Sequence, residues 1–375
     1  METRWQDSEL FREYAELVHG VQQVLREDRG ANPWQERYAG YMEAIQKNLP
    51  IAETARKTFP DVPPFHCYTK IGNFKWSNND RPDDFDLRFL GQSVGTLEIR
   101  DGKARLVVDA GKGNTNREHF GCTLGPIEDD WPCGEQARRF RKDFKDLVRE
   151  DKILKPRQVE HMVESALFSE LGKMESAAKE LTGIQPVTIM SLGNTRFHMK
   201  TALSASELLK KGTSPRLARG NGGGEIDIFC RWRRGNHSRL TVIELKKDSK
   251  IPFQRVLRQA IAYAVFIREL ARSASGAEWM RLWRPHNKPW QGESFIINAV
   301  AAMPMPLPKP DLSFAGMRLP VEGGGPTDFI ELHWLGLTEA DPENRRAGRE
   351  GHAGKGAQPV RFETSLGISK SSLRN

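Results

Sequence analysis

Two acidic residues and a lysine, Asp227, Glu244 and Lys246, carry the densest chemical signal in this chain. They lie in GGGEIDIFCRWRRGNHSRLTVIELKK, residues 222–247, where two β-rich runs flank Gly235-Asn236. Such a dipeptide between strand-like runs is a favoured two-residue hairpin loop. If it closes the turn, Arg234 pairs with His237, and seven steps back along the ladder Asp227 opposes Glu244. Opposed residues in an antiparallel pair hold their Cβ atoms about 4.5–5.5 Å apart. Alternation predicts Glu225, Asp227, Glu244 and Lys246 on one face, with Ile226, Ile228, Cys230, Ile243 and Leu245 on a buried opposite face.

Like charges facing each other across a ladder destabilise a sheet, and burial raises that cost unless something neutralises them. A divalent cation resolves the conflict. The two carboxylates and the Leu245 backbone carbonyl are hard oxygen donors suited to Mg2+, with Mn2+ able to substitute. Beside such a cation, Lys246 can orient or activate a water and stabilise charge on a phosphate. A single Glu-x-Lys in a strand is ordinarily a solvent-facing ion pair; the Asp at the matching cross-strand position is what points to chemistry. Glu225 is read either as a second ligand or as a solvated strand-start residue.

The elements around the hairpin must position it. Residues 153–305 read as a helix (about 156–181), strands near 185–191, 196–203, 225–233 and 239–247, a helix over 252–271 and a strand from Phe295 to Ala301. An Asp followed by (D/E)xK on a β-hairpin inside an αβββαβ frame is the signature of the PD-(D/E)XK nuclease superfamily. This chain resembles that family over 153–305, with one strand more than the frame and Ile226 where the motif's Pro often stands. Gln259-Ala260-Ile261-Ala262-Tyr263 in the second helix is similar to the QxxxY motif of the RecB-like branch, its two polar residues being i,i+4 neighbours. For the Glu that the family usually carries on its first helix, Glu160, Glu164 and Glu170 are candidates, with Glu164 preferred.

The resemblance implies an α/β protein with a restriction-endonuclease-like core. It also implies an Mg2+-dependent DNA nuclease leaving 5′-phosphate and 3′-hydroxyl ends, in prokaryotic restriction, defence or repair. The implied catalytic set is Asp227, Glu244, Lys246, Glu164, Gln259 and Tyr263, and the implied metal ligands are Asp227, Glu244 and Leu245. Two other readings stay open: a non-catalytic nucleic-acid-binding module, and an RNA-directed nuclease.

Outside this core, 1–62 reads as helical: a helix over 5–29, a second from Asn32-Pro33 to about Asn48, and a short third over 50–58. Residues 63–133 read as a β-meander with a hairpin at Asp101-Gly102, and 134–152 as a basic helical connector bearing Arg138, Arg139, Lys142, Lys145 and Arg149. A β extension (306–340, with a strand from Phe329 to Leu335) and an aperiodic basic tail (341–375), expected to be disordered, complete the chain. The 57 Lys and Arg against 49 Asp and Glu give +8, a balance that favours a polyanionic partner, here DNA.

Four cysteines without a CxxC pair argue against a zinc site or a disulfide framework. A charged N-terminus and no run near ~20 apolar residues predict a cytoplasmic protein with no membrane association. A homodimer, or a partner protein bound through the N-terminal region, stays open. Three features take structural readings: the acidic turn Asp80–Asp86, His161 as a core or surface histidine, and Trp283–Trp290 as a surface loop; the loop Gly220–Gly224 is read either as letting backbone approach DNA closely or as merely flexible.

Overall fold

Ser8 starts the first helix by accepting a hydrogen bond from the Phe11 N–H at 3.1 Å, which satisfies one of the free donors of a helix N-terminus. The computed structural model describes residues 5–30, 33–55, 62, 64–70, 84–100, 103–108, 120, 126–149, 159–171, 184–186, 196–205, 216–217, 224–234, 237–247, 251–283, 293–305, 314–323, 325–339 and 360–364. They form a mixed α/β protein. Its helices are α1 (Glu9–Arg26), α2 (Trp34–Ala55), α3 (Glu135–Arg149), α4 (Val159–Leu171), α5 (Phe253–Ala271) and α6 (Gly276–Trp283).

The first sheet takes the meander strands β1 (Phe65–Lys70), β2 (Asp84–Phe89), β3 (Gln92–Arg100), β4 (Lys103–Val108) and β5 (Ile127–Asp130) in antiparallel sequence. Arg100 pairs with Lys103, as expected of a turn at Asp101-Gly102. The second sheet is built from β6 (Ile184–Pro186), β10 (Ile228–Arg234), β11 (His237–Leu245), β12 (Ile296–Pro304), β13 (Arg318–Val321), β14 (Asp328–Glu339) and β15 (Val360–Thr364). Its order is β13-β14-β12-β11-β10-β6, with β15 also on β14. Strands β11, β12 and β14 are parallel, and a parallel core is covered on both faces. The nearly continuous burial of β12, IINAVAAMP, follows from that.

Two corrections concern connectivity. The strand expected over 196–203 divides: β7 (Arg196–His198) leaves the second sheet and pairs in parallel with β1 of the first. The short β8 (Leu203–Ser204) forms a ribbon with β9 (Arg216–Leu217). Non-local pairing decided this, and no local pattern encodes it. The helices expected over 33–48 and 50–58 are one, because α2 continues through Pro50 to Ala55 at the cost of one backbone hydrogen bond. Of the helix expected over 156–181, the described part is α4; residues 172–181 lie outside the described residues.

Helix α5 presses the second sheet from one side. Ala260, Ala262 and Ala264 favour helix and are fully buried. Its outer side is covered in turn by the stripe Tyr14, Leu17, Val18 and Val21 of α1 and by α2, with Phe266 centred 5.5 Å from Trp34 and 5.0 Å from Tyr38. A helix apolar all round is thereby accounted for. On the sheet's other side, Leu167 and Phe168 of α4 meet Ile228, Ile243 and Leu245. Strand β15 falls where the sequence offered no periodicity, and residues 341–359 and 365–375 lie outside the described residues. No described helix is long and apolar enough to cross a membrane.

Candidate active site

The hairpin register matches the expectation. Arg234 pairs with His237 and Ile228 with Ile243, so one further step sets Asp227 against Glu244. The Leu245 N–H donates to Asp227 Oδ2 at 2.7 Å and fixes that carboxylate at the mouth of the ladder. Leu240 and Val242 share Glu244's side of β11 and join the core that includes α5, whereas Ile243 and Leu245 join the cluster under α4.

Alternation fails just before β10. Residues 224–226 pair with 199–203 instead of with β11: the Thr201 N–H donates to the Gly224 carbonyl, Gly224 to Leu203, and Ile226 to Met199. The backbone rotates there, so Ile226 joins the α5-side core and not Ile228. Glu225, expected beside Asp227, instead meets His198 Nε2 at 3.2 Å and Lys200 Nζ at 3.5 Å.

Glu244 is completely buried, and neither of its carboxylate oxygens has a hydrogen bond of normal geometry. Burial first, and the Asp227 charge second, push its pKa well above the ordinary carboxylate value. Asp227 is pushed up to about 6, chiefly by burial and against the pull of Lys246. Lys246 Nζ lies 2.7 Å from Glu160 Oε1, 2.7 Å from the Leu245 carbonyl and 3.6 Å from Asp227 Oδ2. Burial opposes its charge, but Asp227, Glu244 and Glu160 together outweigh that and hold its pKa above the ordinary lysine value.

Two of the three first-helix candidates reach this centre. Glu160 holds Lys246, and Glu164 is buried with Oε2 accepting from His161 Nδ1 at 3.1 Å. Glu164 Oε1 is buried and has no hydrogen bond. The Glu170 side chain lies outside the described residues. His161 is raised above its ordinary pKa, first by that hydrogen bond to Glu164, so this histidine, read from the sequence as core or surface, touches a candidate site residue.

Gln259 and Tyr263 line the α5 wall, both buried, with Gln259 Nε2 donating to the Tyr263 hydroxyl at 3.5 Å. Burial and then the nearby Glu244 charge raise the tyrosine pKa far above the ordinary value, so it remains a donor at neutral pH. Gly224 is sterically obligatory here: a Cβ on it would fall 1.9 Å from the Tyr263 hydroxyl oxygen. The Gly220–Gly223 part of that loop and the acidic turn at Asp80–Asp83 lie outside the described residues.

Sequence reasoning missed Arg88 and Asp86 of β2, and His198 of β7, all buried near the α4 carboxylates. The available signal was Asp86-x-Arg88 at alternating positions; the end of the expected acidic turn, Asp84 and Asp86, belongs instead to β2. It also misplaced Trp283, which closes α6 and is buried against Phe229 at 5.2 Å between ring centres; residues 284–290 lie outside the described residues.

Among the described residues no group of three His, Cys, Asp or Glu side chains is arranged to hold a metal ion. The donor chemistry nonetheless fits a hard cation: two adjoining carboxylates, one with both oxygens unbonded, and a neighbouring backbone carbonyl. Comparison with family models, with curated proteins and with solved structures found no match.

Proposed function

We propose that this protein is a divalent-metal-dependent DNA nuclease with a PD-(D/E)XK centre. The observation that carries the reading is Glu244: a carboxylate wholly inside the protein, unbonded at both oxygens, opposite a second carboxylate and two residues before a charged lysine. A buried carboxylate without hydrogen bonds of normal geometry is costly, and a cation is the simplest agent that offsets that cost. The topology supports the same reading. With β7 assigned to the first sheet, the order α4, β6, β10, β11, α5, β12 agrees with an αβββαβ frame into which the β8–β9 ribbon and α6 are inserted. The Gln259 and Tyr263 pair on α5 agrees with the RecB-like branch.

Asp227, Glu244 and the Leu245 carbonyl would hold Mg2+, which when bound supplies Lewis-acid polarisation of water and phosphate. The protein's own groups divide the remaining work. Lys246, kept protonated by three carboxylates, carries positive charge to the place where a phosphate develops negative charge. Glu160 orients that ammonium from α4. Tyr263, buried on α5 within the field of Glu244, keeps its proton there. The net charge of +8 suits a polyanionic substrate.

Incubation of linear, circular and single-stranded DNA with and without Mg2+ tests the proposal. Cleavage should require the cation and fall on the order of a thousandfold in Glu244→Gln and Lys246→Ala, the scale of losing a principal electrostatic stabiliser. Cleavage that survives loss of both carboxylates overturns it. DNA binding without cutting under Mg2+ or Mn2+ favours the binding module, and digestion of RNA alone favours the RNA nuclease.

A further inference from the structure

The side-chain network around Glu164 begins in the other sheet. Ser93 Oγ on β3 donates to Asp86 Oδ1 at 2.5 Å, and Arg88 Nε donates to Asp86 Oδ2 at 2.5 Å. Arg88 Nη2 lies 3.3 Å from His198 Nδ1 on β7. A guanidinium only donates, so His198 Nδ1 must accept, which puts its proton on Nε2, facing Glu225 Oε2 at 3.2 Å. The Arg88 guanidinium also lies over the Tyr68 ring, 4.5 Å from its centre. Four strands of the first sheet, β1, β2, β3 and β7, therefore hold one buried arginine in a single orientation.

Arg88 is aimed at the candidate centre. Its Nη1 lies 4.0 Å from Glu164 Oε1, close enough to attract the oxygen and too far to consume its lone pairs in a hydrogen bond. His161 grips the other oxygen, Oε2, from within α4. Glu164 is thus held from two sides while Oε1 stays unbonded, inside the field of Asp227.

We infer that Arg88 is a positioning residue through which the β-meander sheet sets the Glu164 carboxylate toward the cation, making that sheet part of the catalytic unit. The inference rests on the nuclease reading above. Lysine cannot replace this function, since a single ammonium cannot reproduce the planar fork that bonds Asp86 and His198 while facing Glu164.

Mn2+ binding, measured by titration calorimetry on the full chain, tests it together with the Mg2+ dependence of DNA cleavage. Arg88→Lys should weaken Mn2+ binding about tenfold, the scale of losing an outer-shell partner of a metal ligand, and should raise the Mg2+ concentration for half-maximal cleavage by the same factor. Glu164→Gln should do likewise, and the double variant should be no worse than Glu164→Gln alone. If Arg88→Lys folds poorly, Asp86→Asn/Arg88→Met, which removes both charges together, provides the same comparison. Wild-type Mn2+ affinity in either Arg88 variant, or losses that multiply in the double variant, overturns the inference while leaving the nuclease reading intact. A wild-type chain that neither binds Mn2+ nor cuts DNA refutes both.

Discussion

The second sheet buries acidic side chains in two places, and the sequence treats them in opposite ways. On β14, Asp328 is wholly buried and fully answered. Arg268 Nε and Arg272 Nε donate to Oδ2 at 2.9 Å each, while Arg272 Nη2 and the Phe295 N–H donate to Oδ1 at 2.6 and 3.1 Å. Glu331, three residues on, is bonded by Arg239, Arg318 and His333 at 2.9, 2.6 and 3.1 Å. On β11, two strands away, Glu244 is equally buried and has no such bonds. Their protonation differs accordingly. Burial alone would raise Glu331, but His333, Arg239 and Arg318 reverse it and hold the group well below the ordinary value, whereas Glu244 stands well above. A chain able to bond one buried acid to several cations leaves another with no hydrogen bond of normal geometry beside a single lysine, and the contrast sets an architectural carboxylate against the one proposed to take a ligand.

The largest expected effect that sharpens the contrast is on stability. Asp328→Asn removes the buried carboxylate shared by Arg268 and Arg272, leaving Glu269 as the remaining acid on Arg268, and should cost about 3–5 kcal/mol, read as a lower midpoint in urea. A loss below 1 kcal/mol would remove Asp328 from the architectural class.

The next effect is the response to pH, where the two places should show opposite signs. Asp227 binds its proton more tightly folded, near 6, than unfolded, near 3.8, so the folded state bears the penalty above pH 6 and sheds it as pH falls toward 4. Without divalent cations, this group should contribute on the order of 2 kcal/mol of added stability across that fall, and the contribution should vanish in Asp227→Asn. Glu331 works the other way: its stabilisation is complete above the unfolded value and is lost as pH drops through the depressed folded one. Denaturation of Asp227→Asn and Glu331→Gln against wild type from pH 3 to 8 separates the two limbs. Parallel slopes in the two difference curves would break the comparison.

The smallest effect is Glu244→Gln, which should shift stability at neutral pH by no more than about 1 kcal/mol, because a raised pKa already favours the neutral form that an amide imitates. A loss as large as that of Asp328→Asn would make Glu244 structural.

How much of this was legible beforehand depended on sequence distance. The hairpin was readable because Gly235-Asn236 and the alternation around it are local, and they set Arg234 against His237 and Ile228 against Ile243, with Asp227 one step beyond. Glu160 and Glu164 were readable as helix positions, though not which partner each would meet. Glu225 and Ile226 were misread because their backbone is claimed by residues 199–203, a competition that period-two reasoning cannot see. Helix α6 escaped notice because GAEWMRLW spans only eight residues, too few for a 3.6-residue period to stand out. Arg88 was invisible for a further reason: its partners come from β2, β7 and α4, and only the folded chain brings those segments together.

The excursion of Arg196–His198 into the neighbouring sheet also limits modularity. A gene fragment encoding only the segment from 153 to 305 would carry β7 without β1 to lie against and His198 without Arg88 to receive. Recombination that exchanged the two halves at their apparent seam would cut through this stitch, so the smallest portion of the chain that can be transplanted intact extends back at least to Phe65.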